Sequence, residues 1–425
     1  MEFFRQALFF FLLFPLIVFS CTSTPLPQSD PVIIPEDFLG IVHAGNSGEF
    51  KLLNEMGVNW LLNTFYWRRI EKEKGCFDFS VYDEFVDSAK REGKKIIAVL
   101  GYDSPWLLPK GKKYILPENI PFFLNYVEET VRHFKGRIDV WEIWNEPNFY
   151  KFWQGSRKEF FELSRLTALK IKETDPGSYV IGGVFWRSPS GFIKNMHKTG
   201  AMENMDGLAF HPYAVNPSGA MKLHDKFLKT LSEIEFSGPV WITEIGYPTG
   251  GFFPSRVSME KLPSFVIKTI SGAAARGTRV LLWYELTDSY NIGETSRNTK
   301  SSENFFGLIY PNYQRKNGSW AYELCAAFLP GSRYESAYPI RENIPRNIIS
   351  LCFMEGISGN NVLILWNDNK QIKKAYFYLV SPAFLYDIST GIKIRLQTGT
   401  TLEIGTTPLF ITWQGNSIPK LVSSK

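Results

Sequence analysis

The chain has 425 residues, 44% hydrophobic and 21% charged, long enough to bury a full core and too apolar for a disordered polymer. Its net charge of +5 is small for this length, and the basic residues are dispersed, with Lys94-Lys95 and residues 110–113 the only local clusters; no nucleic-acid stripe is expected. Aromatic residues make up 16%, many at strand ends and in loops, a distribution that suits sugar stacking as well as core packing.

The front end differs from the rest. Arg5 precedes an apolar run, Ala7–Phe19, too short to span a bilayer but suited to a signal peptide covering residues 1–21. Val18-Phe19-Ser20-Cys21 is similar to a bacterial lipobox, although Phe19 stands where a small residue is usual. Lipidation of Cys21, with anchoring to a membrane, is the expectation; plain secretion is the alternative. Residues 22–35, opening with a Ser/Thr/Pro-rich stretch, would be the tether. Cys76, Cys325 and Cys352 then remain, spaced for neither a disulfide framework nor a metal site, and are expected to be buried fillers.

From residue 36 onward, strands and helices alternate. Strands are predicted at Phe38–Ala44, Val58–Trp67, Lys95–Gly101, around Trp141, and at Tyr179–Phe185, Met205–Phe210, Val240–Ile245 and Arg279–Leu286. Helices are predicted at Glu49–Met56, Ser80–Arg91, Ile120–Phe134, Lys158–Thr174, Phe192–Lys198, Lys222–Phe236, Met259–Ala275 and Ser319–Phe328. Eight such pairs within residues 36–330 predict an α/β fold, a (β/α)8 TIM barrel, over a Rossmann-type sheet, because no strand runs into Gly-x-Gly-x-x-Gly. After Pro330 the helical rhythm ends. Short strands between turn residues predict a small β-sandwich-like domain over 331–425.

Two stretches carry the chemistry. The β-branched and aromatic run Ile138–Trp144 reads as a buried strand and ends in Asn145-Glu146-Pro147-Asn148, where Pro147 cannot continue the ladder. Val240-Trp241-Ile242-Thr243-Glu244-Ile245-Gly246 repeats the form. An acid at the C-terminal end of a barrel strand is a poor choice for stability and a good one for catalysis. Two such carboxyl groups suffice to cleave a glycosidic bond, one giving a proton to the leaving oxygen and one attacking the anomeric carbon or activating water. Glu142 and Glu285 are expected to be buried, hydrogen-bonded strand residues. No metal spacing and no phosphate loop is present, so no cofactor is expected.

Trp144-Asn145-Glu146-Pro147-Asn148 and Thr243-Glu244-Ile245-Gly246 resemble the fourth- and seventh-strand motifs of clan A glycoside hydrolases, and His211-Pro212-Tyr213 and Trp283-Tyr284 match those of the sixth and eighth strands. The resemblance covers about residues 36–330. Gly101-Tyr102, Pro105-Trp106 and Phe152-Trp153 look most like family 39, which includes β-xylosidases and exopolysaccharide hydrolases. It implies a retaining glycosidase with a carbohydrate substrate, Glu146 as acid/base and Glu244 as nucleophile. It further implies Asn145 on the sugar 2-OH, Tyr213 and His211 beside Glu244, and Trp283 under the reacting sugar. His43, Trp106 and Trp153 would line the cleft. One departure is Leu62, where clan members often carry an arginine. The alternative is a sugar-binding or adhesive surface lipoprotein without turnover. The sequence does not give the oligomeric state.

Overall fold

The computed structural model describes residues 31–107, 113–251, 256–290, 301–335, 348–369, 371–379, 381–417 and 419–423. The expected signal peptide, Cys21 and most of the expected tether lie outside the described residues.

Eight parallel strands close into a barrel: β1 Leu39–Val42, β2 Trp60–Tyr66, β3 Lys95–Gly101, β4 Val140–Ile143, β5 Tyr179–Trp186, β6 Gly207–His211, β7 Val240–Ile245 and β8 Val280–Trp283. Closure is made by β8 on β1, Leu281 opposite Leu39 and Trp283 opposite Ile41. A helix follows each strand: α1 Phe50–Glu55, α2 Ser80–Arg91, α3 Ile120–His133, α4 Arg157–Thr174, α5 Ser190–Lys198, α6 Pro217–Glu233, α7 Leu262–Ala274 and α8 Asn317–Phe328. None of the helices among the described residues is long and apolar enough to cross a membrane.

Strand alternation divides the apolar residues into two layers. Val42, Trp60, Leu62, Ile97, Val99, Val140, Ile181, Trp241, Val280 and Leu282 fill the barrel interior. Their neighbours Ile41, Leu61, Ile96, Ala98, Trp141, Val180, Leu281 and Trp283 face the helices. Local signals set the helix starts. Ser156 and Glu159 form a reciprocal capping box on α4, an arrangement whose cap alone is worth about 1 kcal/mol. Asn216 caps α6 by accepting from the Gly219 amide, and Pro217 occupies the first turn, so this helix begins five residues before the predicted Lys222.

The C-terminal chain forms two antiparallel sheets. Asn361–Asn367 is buried along its whole length because its two faces serve different cores. Val362 and Ile364 pack with Phe328 and Phe410 on the barrel side, while Leu363 and Leu365 pack with Phe377, Leu402, Ile411 and Trp413 between the sheets. Strands at Thr400–Ile404 and Lys420–Ser423 flank Lys373–Tyr378 and were not predicted; Thr400–Ile404 buries only Leu402 and Ile404, so its apolar signal is thin. The end of the expected tether is ordered: Val32–Ile33 pairs with Arg333–Tyr334 at the edge of the seven-stranded sheet, and Ile34 is buried. Cys325 and Cys352 are buried, as expected of fillers, but Cys76 is exposed on a small hairpin.

A buried ion pair ties the loop after β8 to the start of α8. Lys316 Nζ lies 2.6 Å from Asp288 Oδ1 and donates to Thr249 Oγ1 at 3.0 Å, and both charged side chains are sealed from solvent. Removing one partner of such a pair strands the other charge. Lys316→Met is expected to lower unfolding free energy by about 3–5 kcal/mol, read by urea denaturation. A loss under about 1 kcal/mol would show that Asp288 is tolerated alone.

Candidate active site

The C-terminal mouth of the barrel opens into a cleft of about 1040 Å³. Asn145, Glu146, Tyr213, Glu244 and His43 line it. Glu146 projects from the loop that ends β4. Its amide donates to Val184 O at 2.9 Å, and Asn148 ties the same loop to β5, donating to Trp186 O and accepting from the Trp186 amide, each at 2.9 Å. The Asn-Glu-Pro-Asn run thus clamps one strand end against the next.

A bulge aims Glu244. Register on β8 slips between Ile242 and Ile245, so the alternation breaks and Thr243 and Glu244 both turn toward the barrel axis while Ile242 and Ile245 pack outward. Gly246 follows because nothing larger fits: an added Cβ would lie 1.9 Å from the Tyr284 carbonyl oxygen. A second bulge on β5, between Gly182 and Phe185, turns Val184 inward and brings Trp186 to the cleft. His43, Trp144, Glu146, Val184 and Arg187 all have positive φ, at 53°, 63°, 41°, 42° and 61°. Non-glycine residues held there cost of order 1–3 kcal/mol each and concentrate at functional sites.

The two carboxylates are held by one histidine. His211 Nδ1 lies 2.8 Å from Glu146 Oε1 and 3.5 Å from Glu244 Oε2, and its Nε2 is 3.1 Å from Thr243 Oγ1. The nearest ligand atoms of Glu146, His211 and Glu244 all fall within 4.8 Å of one another. Burial disfavours the imidazolium, but Glu244, Glu146 and Glu142 outweigh it and raise His211 to about 9. The neighbouring acids thus favour the imidazolium, which bridges the two carboxylates. It is wholly buried and positions the carboxylates without facing the cleft.

Burial raises the Glu244 carboxyl and the Glu146 charge adds to the rise, while His211, His43 and the hydrogen bond from Tyr213 oppose it. Tyr213 donates to Glu244 Oε2 at 3.2 Å; burial and the neighbouring acids keep the phenol protonated. Leu62, standing where an arginine was expected, lines the floor, and the positive charge around Glu244 comes from His211 and His43. His43 Nδ1 is 3.1 Å from Glu285 Oε2, which itself is buried. Among the described residues the Asn145 amide has no hydrogen-bond partner, although the residue is only 8% exposed.

Glu142 lies on β4 beneath this group. Burial pushes it up to about 8; His211 and Thr243 pull it down and Glu244 adds to the rise. It is buried and hydrogen-bonded to Thr243, as expected of a strand residue, but its other oxygen has no hydrogen-bond partner among the described residues. A carboxyl raised by folding holds its proton in the native state while the unfolded chain has released it, so stability falls as pH rises from about 4.5 to about 8. His211 has the opposite charge type but the same trend: its contribution is full below about 6.5 and is lost through about 9. The midpoint of thermal unfolding is expected to drop between pH 6.5 and 9, and Glu142→Gln to flatten that drop; an unchanged slope in the variant would contradict it.

Three tryptophans predicted for the site are elsewhere. Trp283 is fully buried and faces the helices with Tyr247, because Val280, Leu282 and Tyr284 hold the inward phase of β8; Tyr284 lines the cleft instead. Trp153 packs edge-on against Trp144 and donates to Ser156 O, a loop-packing role. Trp106 donates to Glu71 O and packs on Trp67, behind the cleft wall. Besides Tyr213 and Tyr284, the aromatic lining comes from Tyr66, Tyr102, Phe149, Phe152, Trp186 and Phe306. Of these, Tyr102 and Phe152 stood in the motifs quoted above; Trp186 depends on the β5 bulge and left no sequence signal.

Known proteins share this fold and parts of this sequence. A family model described as β-galactosidase, glycoside hydrolase family 42, matches residues 44–107. The chain is 25% identical over 210 residues to endo-1,4-β-xylanase B of Thermotoga neapolitana, spanning 44% of this chain and 58% of that protein. It is 30% identical over 121 residues to a β-xylosidase of Caldicellulosiruptor saccharolyticus, spanning 24% of this chain and 25% of that protein. The matches thus span less than two thirds of the length of these relatives. Among solved structures, a family 39 glycoside hydrolase of Bacteroides cellulosilyticus superposes with a TM-score of 0.73 at 18% identity, over 90% of this chain and 81% of that one. A monomeric β-xylosidase of Caulobacter crescentus gives 0.62 at 13% identity, over 90% and 97%. The chain thus shares its fold with these glycoside hydrolases, family 39 among them, and is similar in sequence to parts of a xylanase, a β-xylosidase and a β-galactosidase family.

Proposed function

We propose that the protein is a retaining β-glycosidase acting on an oligo- or polysaccharide through Glu146 and Glu244. The observation that carries this reading is the approach of the two carboxylates, one oxygen of Glu146 lying within 4.8 Å of one oxygen of Glu244 with no water-sized gap between them imposed by the fold. Retaining enzymes hold their pair at about 5–5.5 Å, whereas inverting enzymes leave about 6.5–9.5 Å for a water.

In the first step Glu146 gives a proton to the leaving oxygen and Glu244 attacks the anomeric carbon. A second carboxylate this close disfavours the Glu244 anion, so that anion needs support from its surroundings. His211, Tyr213 and His43 surround Glu244 with charge and hydrogen bonding that favour its anion. Asn145, with no side-chain partner among the described residues, is available at the mouth to bind a hydroxyl of the sugar. In the second step Glu146 takes a proton from water, which releases the sugar from Glu244 with its anomeric configuration kept.

The test is the anomer first released from a cleaved glycan, followed by proton NMR. Retention supports the reading; inversion removes it. The alternative, a non-catalytic sugar-binding surface protein, is favoured by no feature of this constellation, since binding alone needs no paired acids.

Export with lipidation at Cys21 is also proposed, on the strength of the apolar run that ends there. Labelling with a fatty acid should mark the wild type and spare Cys21→Ala; equal labelling would sink it.

A further inference from the structure

The acidic pair sits within a basic wall. Arg68 follows β2, Lys113 precedes α3, Lys151 precedes α4, Arg187 follows β5, and Lys222 and Lys226 lie on α6; all six line the cleft, where Asp103 and Glu303 are the other acids of the described lining. Arg68 lies 3.7 Å from Asp103. Among the described residues, Lys113, Lys151, Arg187, Lys222 and Lys226 have no carboxylate partner. On the outer face of the barrel the pattern is different, with basic side chains paired as in Lys90–Asp139, Arg137–Asp83, Lys172–Asp206 and Arg276–Asp225.

Two further features argue that the wall is built to meet a ligand. Lys222 and Lys226 stand four residues apart on the helix face that carries Gly219 and Leu223 into the cleft. Like charges at that spacing cost a few tenths of a kcal/mol, so stability does not explain them. The loop cations are also set against the aromatic lining: Lys113 Nζ is 4.5 Å from the Phe152 ring centre, Lys151 Nζ is 5.3 Å from the same ring, and Arg187 lies 5.7 Å from Trp186. Positive charge thus borders the surfaces on which sugar rings stack.

Resting on the glycosidase reading of this cleft, we infer that the substrate is an anionic glycan whose carboxylate or sulfate groups engage Lys113, Lys151, Arg187, Lys222 and Lys226. A neutral glycan offers these cations only uncharged hydroxyl acceptors. An acidic one gains charge-assisted hydrogen bonds and is steered toward the mouth.

Binding is measured on the full chain carrying Glu244→Gln, so that glycans stay intact. The probes are polygalacturonate and its carboxyl-reduced form, and κ-carrageenan and its desulfated form, followed by affinity electrophoresis. At least one charged polymer is expected to bind about tenfold tighter than its neutralised partner, with affinity falling as salt rises. Combining Lys113→Gln, Lys151→Gln, Arg187→Gln, Lys222→Gln and Lys226→Gln should remove most of that difference, with circular dichroism checking the fold. The carboxylate and sulfate arms tell which group is read. Equal binding of charged and neutralised forms, no retention of either charged polymer, or an unchanged affinity in the five-site variant would each overturn the inference. Hydrolysis by the unmodified chain is scored separately. A charged polymer that is bound but never cut supports the anionic ligand and counts against the glycosidase; a neutral glycan cut with retention while charged ones are ignored does the reverse.

Discussion

Glu244→Gln is expected to reduce turnover by about ten-thousand-fold or more, with the fold and glycan binding intact. The amide is close to the carboxylate in shape, keeps an oxygen facing Tyr213, and has no charge with which to attack an anomeric carbon. Its stability should rise slightly if anything, because the native site pushes the Glu244 carboxyl toward its neutral form. Glycan affinity that survives while kcat disappears would separate chemistry from binding. A variant that keeps more than about a hundredth of the wild-type rate would remove Glu244 from the nucleophile's role.

Glu146→Gln should fail differently. A leaving alkoxide needs a proton, so natural glycans are expected to lose about 10²- to 10⁴-fold in kcat. An aryl glycoside with a dinitrophenolate leaving group needs no such help, and its first step should proceed nearly as in the wild type. The second step then limits the rate, because no base activates water. Added azide, a nucleophile that needs no deprotonation, should restore turnover and release a glycosyl azide of retained configuration. The same loss for good and poor leaving groups, with no azide effect, would contradict the acid/base assignment. His211 donates to the same oxygen at 2.8 Å, so its replacement should shift the pH profile of both variants without mimicking either.

The acids were legible in the sequence because each ends a run of buried residues, and a carboxyl in that position has little structural reason to exist. The eight strand–helix pairs were legible for a similar reason: hydrophobic period changes between elements are local. What was not legible depended on phase. Trp283 and Tyr284 are neighbours, and only the register of β8 against β1 decides which one faces the cleft. The bulges on β5 and β7 shift that phase within a strand, which brings Trp186 and Glu244 inward. Trp106 and Trp153 show the limit of composition: indoles suit sugar faces, yet these two donate to backbone carbonyls and fill the layer behind the wall. The start of α6 was missed although Asn216-Pro217 is a cap followed by a first-turn proline. The omission left Gly219, which lines the cleft from the first turn, outside the predicted helix. Leu62 illustrates substitution of function across strands, since the charge an arginine would give Glu244 comes from His43 on the β1 side and His211 on β6.

The central claim is that Glu244 forms a covalent bond to the sugar, and intact-mass spectrometry after incubation with a panel of activated 2-fluoro glycosides tests it most directly. The fluorine slows both steps and the good leaving group restores the first, so the intermediate accumulates. A mass gain of one fluorosugar in the wild type, mapped to the peptide containing Glu244 and absent from Glu244→Gln, is the predicted result. An adduct of the same mass that persists in Glu244→Gln, or one mapped to Glu146, would contradict it.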